Sequence, residues 1–451
     1  MNDYDVIVVG GGPGGSTAAG LTAADGHRVL LLEKEVFPRY QIGESLLPAT
    51  VHGVCALLGV RDELEQAGFV RKCGGMFRWG ANPEPWTFAF AASERMAGPT
   101  SYAYQVERTR FDTILLRNAG RLGAEVREGH RVLGTVRVAG RVAGVRYADD
   151  AGRERVATAR FVVDASGNTS RLHHDAGGVR EYSPDFRNVA LFGYFTGGYR
   201  LPKPHSGNIL CAAFDDGWFW YIPLSATLTS VGAVVKHEAA ARVQGDPEQA
   251  YAALIAECPL VAEFLRVARR ATDPPYDRLR VRRDYSYDRT VLHGPGLLLV
   301  GDAACFIDPV FSSGVHLATY SGLLAARSIN STLAGTVPEQ RCLAEFEARY
   351  RREFGLFRDF LRSFYQVQAR EDVYFRRARQ LTGSGDHAFV DLVGGVSSSD
   401  FARDLLGDVL AEGAQLQLRG LLGAAAGDEP PIFPGGLISS ADGRRWEEPD
   451  V

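Results

Sequence analysis

The segment that most constrains the fold is the N-terminal stretch, where an apolar run leads directly into a glycine-rich turn. Residues 4–9 (YDVIVV) are typical of a parallel strand buried on both faces. A small-residue helix over 16–24 and a second strand over 27–32 follow the turn. The turn satisfies G-x-G-x-x-G and consists of Gly10, Gly11, Gly12, Pro13, Gly14 and Gly15, with Ser16 opening the helix. Such a turn lets a pyrophosphate approach the backbone and the helix N-terminus, so the sequence predicts a dinucleotide-binding unit.

An acidic residue stands where this unit needs one. Glu33 ends the second strand, about 20 residues past the glycines, where a carboxylate binds the ribose hydroxyls of a dinucleotide. We also expect Lys34 and Arg39, which follow this strand, to contact the cofactor. The unit alone does not distinguish NAD from FAD.

Three later segments favour FAD. They are residues 105–112 (QVERTRFD) before a helix over 113–122, residues 161–165 (FVVDA), and residues 296–300 (GLLLV) followed by Gly301-Asp302-Ala303. Together they resemble the glutathione-reductase-type flavoprotein monooxygenases. The resemblance implies that Gln105 and Arg108 contact FAD and that Asp302 binds the ribityl chain. Taken alone, Arg108 would be a surface arginine at a helix start and Asp302 a helix N-cap.

The fold class expected is therefore α/β: a glutathione-reductase-type, Rossmann-like FAD-binding domain with a β-sheet substrate domain and a helical C-terminal region. The FAD-binding domain is expected to be discontinuous, over 1–180 and 280–330, and the substrate sheet to occupy 181–279. Four short alternating runs predict its strands, at 188–195, 208–214, 218–223 and 229–235. In residues 331–451 we expect an amphipathic helix over 339–368, a Gly/Ser-rich loop over 383–400 and an extended tail over 424–436.

Three further features narrow the chemistry. Residues 218–223 contain W-x-W-x-I-P, residues 306–314 contain F-x-x-P-x-x-S-x-G, and Lys72 lies about 40 residues past the second strand. With these, nearly the whole chain resembles the flavin-dependent halogenases. Residues 38–48, 284–287 and 308–316 are most similar to halogenases of glycopeptide-antibiotic biosynthesis. That branch implies chlorination of a tyrosine or β-hydroxytyrosine ring held as a thioester on a peptidyl carrier protein.

The resemblance also implies a mechanism and its residues. FADH2 and O2 form a flavin hydroperoxide, chloride attacks it to give hypochlorous acid, and Lys72 relays the oxidised chlorine to the ring. Chloride would bind the turn at Ser312, Ser313, Gly314 and Val315, and Gly314 would also approach the flavin. Trp218 and Trp220, which share a strand face, would keep the oxidised flavin from attacking the substrate directly; the other interpretation is that they are core residues.

One position departs from the family pattern. Halogenases of free tryptophan carry a glutamate where this chain has Phe311, so we expect no free-tryptophan substrate, and what replaces that carboxylate is open. The alternatives are an aromatic monooxygenase (hydroxylase) of the same fold, an FAD-dependent reductase that acts on isoprenoid double bonds, and a non-catalytic flavoprotein that binds a carrier protein. The reductase would lack both Lys72 and the tryptophan motif.

Composition excludes several other classes. Fifty basic and 54 acidic residues leave a net charge of −4, so we expect no nucleic-acid partner. The six cysteines lack metal-site spacing, and we expect no metal. No apolar run reaches membrane-spanning length and no signal peptide is visible, so we expect a cytoplasmic protein with no membrane partner. No second nucleotide motif is present for NADPH, so we expect a separate flavin reductase to supply FADH2.

Overall fold

The structure is a computed structural model that describes residues 2–80, 84–365, 371–382, 387–396, 431 and 433–449. In the described ranges the strands are β1 Val6–Val9, β2 Val29–Leu32, β3 Val70–Lys72, β4 Gly74–Arg78, β5 Trp86–Ala89, β6 Ala103–Gln105, β7 Glu125–Arg127, β8 Arg131–Val138, β9 Arg141–Ala148, β10 Glu154–Thr158, β11 Phe161–Asp164, β12 Arg180–Thr196, β13 Ile209–Phe214, β14 Gly217–Pro223, β15 Leu228–Val235, β16 Arg269–Arg270, β17 Arg280–Arg289, β18 His293–Gly294, β19 Leu297–Leu299, β20 Ile438–Ser439 and β21 Trp446–Glu447. The α-helices there are α1 Pro13–Ala24, α2 Cys55–Leu57, α3 Arg61–Gln66, α4 Arg108–Arg121, α5 Pro247–Ala256, α6 Pro259–Phe264, α7 Ser313–Ala334, α8 Glu339–Phe364, α9 Glu371–Thr382 and α10 Ala388–Gly394.

A six-stranded sheet carries the predicted nucleotide-binding segments, in the order β18-β19-β11-β1-β2-β7. β1 lies parallel to both β2 and β11, and β11 lies parallel to β19. The central strands are buried along their whole length, which explains their continuous apolar sequences. Parallel strands end at one sheet edge, so the glycine turn after β1 and the Gly301–Ala303 turn after β19 lie on the same side.

Helix α1 packs against α7 at very short range. A Cβ atom added at Gly322 of α7 would lie 2.4 Å from the carbonyl oxygen of Gly14, so only glycine fits there. Helix α1 begins at Pro13, three residues earlier than the predicted start at 16, because proline suits the first turn of a helix.

The four strands predicted for the substrate sheet are present as β12 to β15. They belong to a larger mixed sheet, ordered β16-β12-β15-β14-β13-β4-β5, with β17 also paired to β12. Strands β4 and β5 come from before residue 180, and β17 from after residue 279, so this sheet draws on both flanking parts of the chain. The side chains alternate along β14: Phe219 and Tyr221 pack towards α5 and α6, while Trp218 and Trp220 face the main core.

The C-terminal helices cover this core. Helix α8 buries Phe346, Tyr350, Phe354, Phe357 and Phe364, the spacing from which the sequence predicted a helix. The predicted loop over 383–400 is wrong for part of its length, because α10 lies inside it. The ring of Phe389 in α10 packs against Trp86 at 5.6 Å and Phe375 at 5.0 Å, and this apolar packing outweighs the Gly/Ser-rich composition around it.

The predicted tail over 424–436 lies mostly outside the described residues. Within the described ranges, no helix combines the length and apolar character that crossing a bilayer requires. The same ranges contain no group of three or more histidine, cysteine, aspartate or glutamate side chains placed to hold a metal ion.

Candidate active site

The glycine turn is built for a close backbone approach. A Cβ at Gly15 would lie 1.9 Å from the carbonyl oxygen of Gly10, whereas a Cβ at Gly12 would meet only the guanidinium of Arg39, at 3.4 Å. The carboxylate of Glu33 accepts a hydrogen bond from the amide of Gly11 at 2.6 Å. Glu33 therefore fixes the backbone of the turn at Gly11, and the turn is open at Gly12 towards the guanidinium of Arg39.

A half-buried arginine, Arg39, faces this turn, and a buried one, Arg108, shares a carboxylate with it. Arg108 forms a bidentate ion pair with Asp112, at 2.6 and 2.9 Å, and its Nη1 donates to the carbonyl of Ile42 at 2.7 Å. Arg39 shares the same carboxylate at 3.0 Å. The interpretation of Arg108 as a surface arginine is wrong, because its side chain is buried. Lys34, in contrast, is exposed and pairs with its neighbour Glu35 at 3.9 Å, so the structure does not group it with the others.

The residues predicted for the rest of the cofactor lie beside this cluster. Burial raises the pKa of Asp302 to about 6, and the charges of Arg108 and Arg282 oppose that shift. Gln105 is fully buried, with its Nε2 donating to the carbonyl of Gly207 at 3.0 Å. A glycine cradle, the N-terminus of α1 without acidic residues in its first turn, two arginines and two acids match the pyrophosphate and hydroxyl groups of FAD.

Lys72 is the most unusual charged residue of the site. It ends β3, is 2% exposed, and its Nζ donates to Ser45 Oγ at 2.9 Å and to the carbonyl of Leu46 at 3.0 Å. Both acceptors are neutral, and among the described residues no carboxylate pairs with this amine. Burial therefore lowers the pKa of Lys72 to about 7, and at neutral pH much of this amine is uncharged and nucleophilic.

Cys211 lies between Lys72 and Val310, in the loop that leads into the predicted halide residues; this loop and those residues together form the 309–315 turn. The thiol of Cys211 is close enough to Lys72 to act on its pKa, and its Sγ lies 3.9 Å from the carbonyl oxygen of Val310. Cys211 also pairs in register with Trp220 on the adjacent strand. The structure thus gathers the predicted relay lysine, the tryptophan face and the 309–315 turn around one strand.

The two tryptophans form a continuous wall. Trp218 and Trp220 are both buried and their ring centroids are 6.2 Å apart. Trp220 Nε1 donates to Ser230 Oγ at 3.1 Å, and a Cβ at the facing Gly232 would lie 2.2 Å from the indole, so this glycine makes room for the ring. These contacts fit both a barrier role and plain core packing.

A hydrogen-bond network, absent from the sequence-based prediction, joins this wall to the predicted halide turn. Trp218 Nε1 donates to the hydroxyl of Tyr365 at 2.8 Å, and that hydroxyl donates to Asp308 Oδ2 at 2.6 Å. Asp308 also accepts from Asn188 at 3.0 Å and from the amide of Val310 at 3.0 Å. Burial raises the pKa of Asp308 to about 6. A partner aspartate for a tyrosine 57 residues away leaves no local sequence signal.

The predicted halide turn has a special backbone. Ser312 adopts φ of +59°, in the left-handed region, and α7 starts at the next residue with no acidic side chain in its first turn. Ser313 and Val315 are buried, while Gly314 is exposed. A Cβ at Gly314 would have no atom within 4 Å, so open space faces the backbone there, as an anion or a flavin edge requires.

This open space leads to a first prediction. We expect Gly314→Ala to fold as stably as the parent, because the new methyl meets nothing, yet to weaken binding of FAD or halide by about tenfold or more through steric exclusion. Thermal unfolding and a flavin fluorescence titration with and without chloride measure the two effects. Unchanged affinities for both would show that neither ligand touches Gly314.

Known proteins resemble the chain over this same region. The model of the tryptophan halogenase family matches residues 5–99 and 91–399. The tryptophan 2-halogenase of Chondromyces crocatus is 38% identical over 379 residues, which are 83% of this chain and 70% of that protein. The structure of the myxobacterial chondrochloren halogenase CndH is 51% identical, has a TM-score of 0.81, and the match covers 98% of this chain and 99% of that chain. The flavin-dependent halogenase CmlS is 29% identical with a TM-score of 0.78, over 99% and 84% of the respective chains.

The fold and the nucleotide cradle define an FAD-dependent oxidoreductase. Within that class the chain belongs to the tryptophan halogenase family and is a flavin-dependent halogenase, as its motifs predict. Enzymes of this family use FADH2, chloride and O2, and in general a separate flavin reductase provides the FADH2.

Proposed function

We propose that this chain halogenates an electron-rich aromatic ring and that Lys72 carries the oxidised halogen to it. The observation that carries the proposal is the buried amine of Lys72, which has neutral hydrogen-bond partners and a pKa lowered to about 7. A hydroxylase of the same fold has no use for a dry, nucleophilic amine beside the 309–315 turn.

The chemistry of the relay follows from this amine. Reduced FAD, when bound, supplies with O2 the two-electron oxidation of halide to hypohalous acid. The lone pair of Lys72 Nζ then forms an N–Cl bond while the Cl–O bond breaks, and the oxygen leaves as water. The ring next forms a C–Cl bond, the N–Cl bond breaks, and the ring proton is lost as the amine is regenerated. A hydrogen bond from Lys72 to hypohalous acid would be the non-covalent version of this relay.

The remaining residues position the reactants. The Ser312–Val315 backbone, at the N-terminus of α7, would hold chloride, because a helix start offers free N–H groups and positive potential. Trp218 and Trp220 would exclude water and keep the arene away from the flavin. FAD would be held by the charged and polar residues of the nucleotide cradle, Glu33, Arg39, Gln105, Arg108 and Asp302.

For the substrate we propose a small activated arene of the indole or phenol class. The relative named tryptophan 2-halogenase supports free tryptophan or a small aromatic over a tethered one. This similarity weighs against the prediction from Phe311 that free tryptophan is not the substrate.

A tyrosine or β-hydroxytyrosine thioester on a peptidyl carrier protein stays the second candidate. Phe311 favours this candidate, because its ring packs 4.9 Å from Phe364 at the position where a carboxylate would otherwise lie. A phenol ring is activated enough to be chlorinated without a strong base. In that case the product would belong to the assembly of a non-ribosomal peptide such as a glycopeptide antibiotic.

A product-mass experiment tests the function and separates the candidates. The protein is supplied with FAD, a flavin reductase, NADH, O2 and chloride, together with free tryptophan, free tyrosine, a tyrosyl thioester on a carrier protein, or its β-hydroxy analogue. We expect a chlorine isotope pattern in the product from at least one substrate. Addition of oxygen without chlorine would identify a hydroxylase, and peroxide release without any product from this panel would contradict the proposal.

A further inference from the structure

Asp308 is a buried acid immediately before the 309–315 turn, and the proposed relay does not use its side chain. It is 3% exposed and precedes the single 3-10 turn Pro309–Phe311, which leads into Ser312. Its Oδ1 accepts a hydrogen bond from the amide of Val310 at 3.0 Å, so the carboxylate caps this 3-10 turn. The backbone that would hold the halide is therefore tied directly to an acid.

The other oxygen of Asp308 is bound by neutral donors from two distant parts of the chain. Tyr365, which follows α8, donates its hydroxyl to Oδ2 at 2.6 Å, and Asn188 of β12 donates its Nδ2 at 3.0 Å. The Tyr365 hydroxyl in turn accepts from Trp218 Nε1 at 2.8 Å. Within the part of the chain that the structure describes, no lysine, arginine or histidine side chain pairs with this carboxyl.

The side chains that face Asp308 from the elements packed against it are uncharged. They are Asn188 of β12, Cys211 of β13, Trp218 of β14 and Tyr365 after α8. Burial keeps Cys211 and Tyr365 neutral, because it raises the pKa of both groups well above neutrality. Further along α7, His316 forms a buried pair with Glu353 of α8 at 3.0 Å. The amine of Lys72 acts on Cys211, and burial and hydrogen bonds alone determine the pKa of Asp308.

A halide on the Ser312–Val315 backbone would bring a second negative charge close to this acid. Val310, whose amide the carboxylate binds, lies two to five residues before that backbone. Since successive Cα atoms are about 3.8 Å apart, we expect the ion and the carboxylate to be separated by on the order of 8 Å. At the effective dielectric constant of a protein, two like charges at such a distance weaken binding by about 30-fold. A proton on Asp308 would remove this repulsion.

We propose that Asp308 controls halide affinity at the 309–315 turn, because the halide binds when this carboxyl is neutral and a proton from solvent therefore enters with it. The inference rests on the proposed function, since it concerns the halide site of that function. Burial raises the pKa of Asp308 to about 6, while hydrogen bonds from Tyr365, Val310 and Asn188 oppose the rise. The neutral form is thus accessible just below neutral pH, and a bound anion favours it further.

The main test measures chloride binding rather than turnover, in protein loaded with oxidised FAD. Chloride is titrated between pH 5 and pH 8 at constant ionic strength, and the absorbance change of the bound flavin gives the dissociation constant. Lys72 also loses its charge in this range, so Lys72→Met is the reference protein. Given a carboxyl that titrates near pH 6 and the repulsion above, we expect chloride to bind about 20-fold more weakly at pH 8 than at pH 5.

Asp308→Asn in this reference protein isolates the charge. Asparagine keeps the shape of the side chain and an oxygen for the Val310 amide. We expect chloride affinity to become independent of pH and, at pH 8, to exceed that of the reference by about 20-fold. A damaged turn would weaken binding, so a gain in affinity separates the charge effect from a structural one. Glu125→Gln is the matched control, because Glu125 also accepts from a tyrosine, Tyr4, at 2.6 Å, but in an exposed pair.

Tyr365→Phe tests the same carboxyl without changing its charge. The substitution removes a donor to the Asp308 anion, so the pKa of Asp308 rises and the midpoint of the chloride dependence should move to higher pH. Tyr4→Phe removes the corresponding hydrogen bond from Glu125 and should leave the midpoint where it is. If Asp308→Asn yields no folded protein, the comparison of these two variants decides the question.

Three outcomes would count against one part of the account or the other. Chloride affinity at pH 8 that does not increase in folded Asp308→Asn, or an unmoved midpoint in Tyr365→Phe, would overturn the role of Asp308. A protein that chlorinates its substrate but shows this pH dependence unchanged in Asp308→Asn would also overturn that role and leave the proposed function standing. Chloride binding that follows Asp308, in a protein that halogenates no substrate, would refute the proposed function alone.

Discussion

Replacing Lys72 by methionine should reduce chlorination by at least about 1,000-fold while leaving FAD binding and the fold intact. Methionine keeps the length and apolar stem of the side chain in a site that is 2% exposed, so packing is preserved and only the amine is lost. Product mass, FAD affinity and hypochlorous acid release measure the outcome. Chlorination at the parental rate would remove Lys72 from the mechanism.

A matched control for this variant lies elsewhere in the chain. Lys236→Met removes an amine whose Nζ donates to the carbonyl of Asp215 at 2.8 Å, a hydrogen bond that involves none of the partners of Lys72. It should chlorinate like the parent. Comparison of the two separates the loss of this particular amine from the loss of a lysine in general.

The same lysine predicts how stability varies with pH. Its pKa is about 7 in the folded protein against an ordinary value of 10.5, so between these two pH values the unfolded chain holds one more proton. The Lys72 contribution to the free energy of unfolding should therefore rise with pH across this window and stay at its lowest value below pH 7. Lys72→Met removes the dependence, so its unfolding temperature should exceed that of the parent most at pH 6 and least near pH 10.

The second large effect is expected for Gly15→Ala. The new Cβ would lie 1.9 Å from the carbonyl oxygen of Gly10 and 3.2 Å from the Cβ of Ala165, and rigid backbone leaves no room to adjust. We expect either little soluble protein, or protein that lacks flavin and unfolds about 10 °C below the parent. This magnitude follows from the usual cost of overpacking a protein core.

Gly355→Ala supplies the comparison for this variant. Gly355 lies inside α8, and a Cβ there would have only the guanidinium of Arg358 near it, at 4.0 Å. Alanine favours a helix over glycine by about 1 kcal/mol, so this variant should be slightly more stable than the parent. Normal folding and flavin content in Gly15→Ala would contradict the account of the glycine turn.

The sequence predicted those parts of the molecule that local pattern determines. Buried apolar strands, the glycine turn and the helical spacing of Phe346, Tyr350 and Phe354 each follow from residues close together in the chain. Lys72 was found only through a family resemblance, since its lack of a counter-charge depends on Ser45 and Leu46, some 26 residues away. Helix α10 was missed because it is held by aromatic packing with distant strands.

The carboxylates of the interior were the largest omission. No role was predicted for Glu44 or Asp308, and only the folded chain shows that both are buried and bound by tyrosines 150 and 57 residues further on. Pairs separated by such distances leave no periodic or spacing signal in a single sequence.

The contact between α1 and α7 bears on how such an enzyme could be redesigned. Since Gly322, inside α7, meets the backbone of Gly14 without an intervening side chain, the distance between the two helices is set there by main chain alone. A side chain introduced at Gly322 would therefore force the two helices apart. If halide binds at residues 312–315 as proposed, a variant for a larger halide would best change the loop that precedes α7, because α7 itself is fixed against α1.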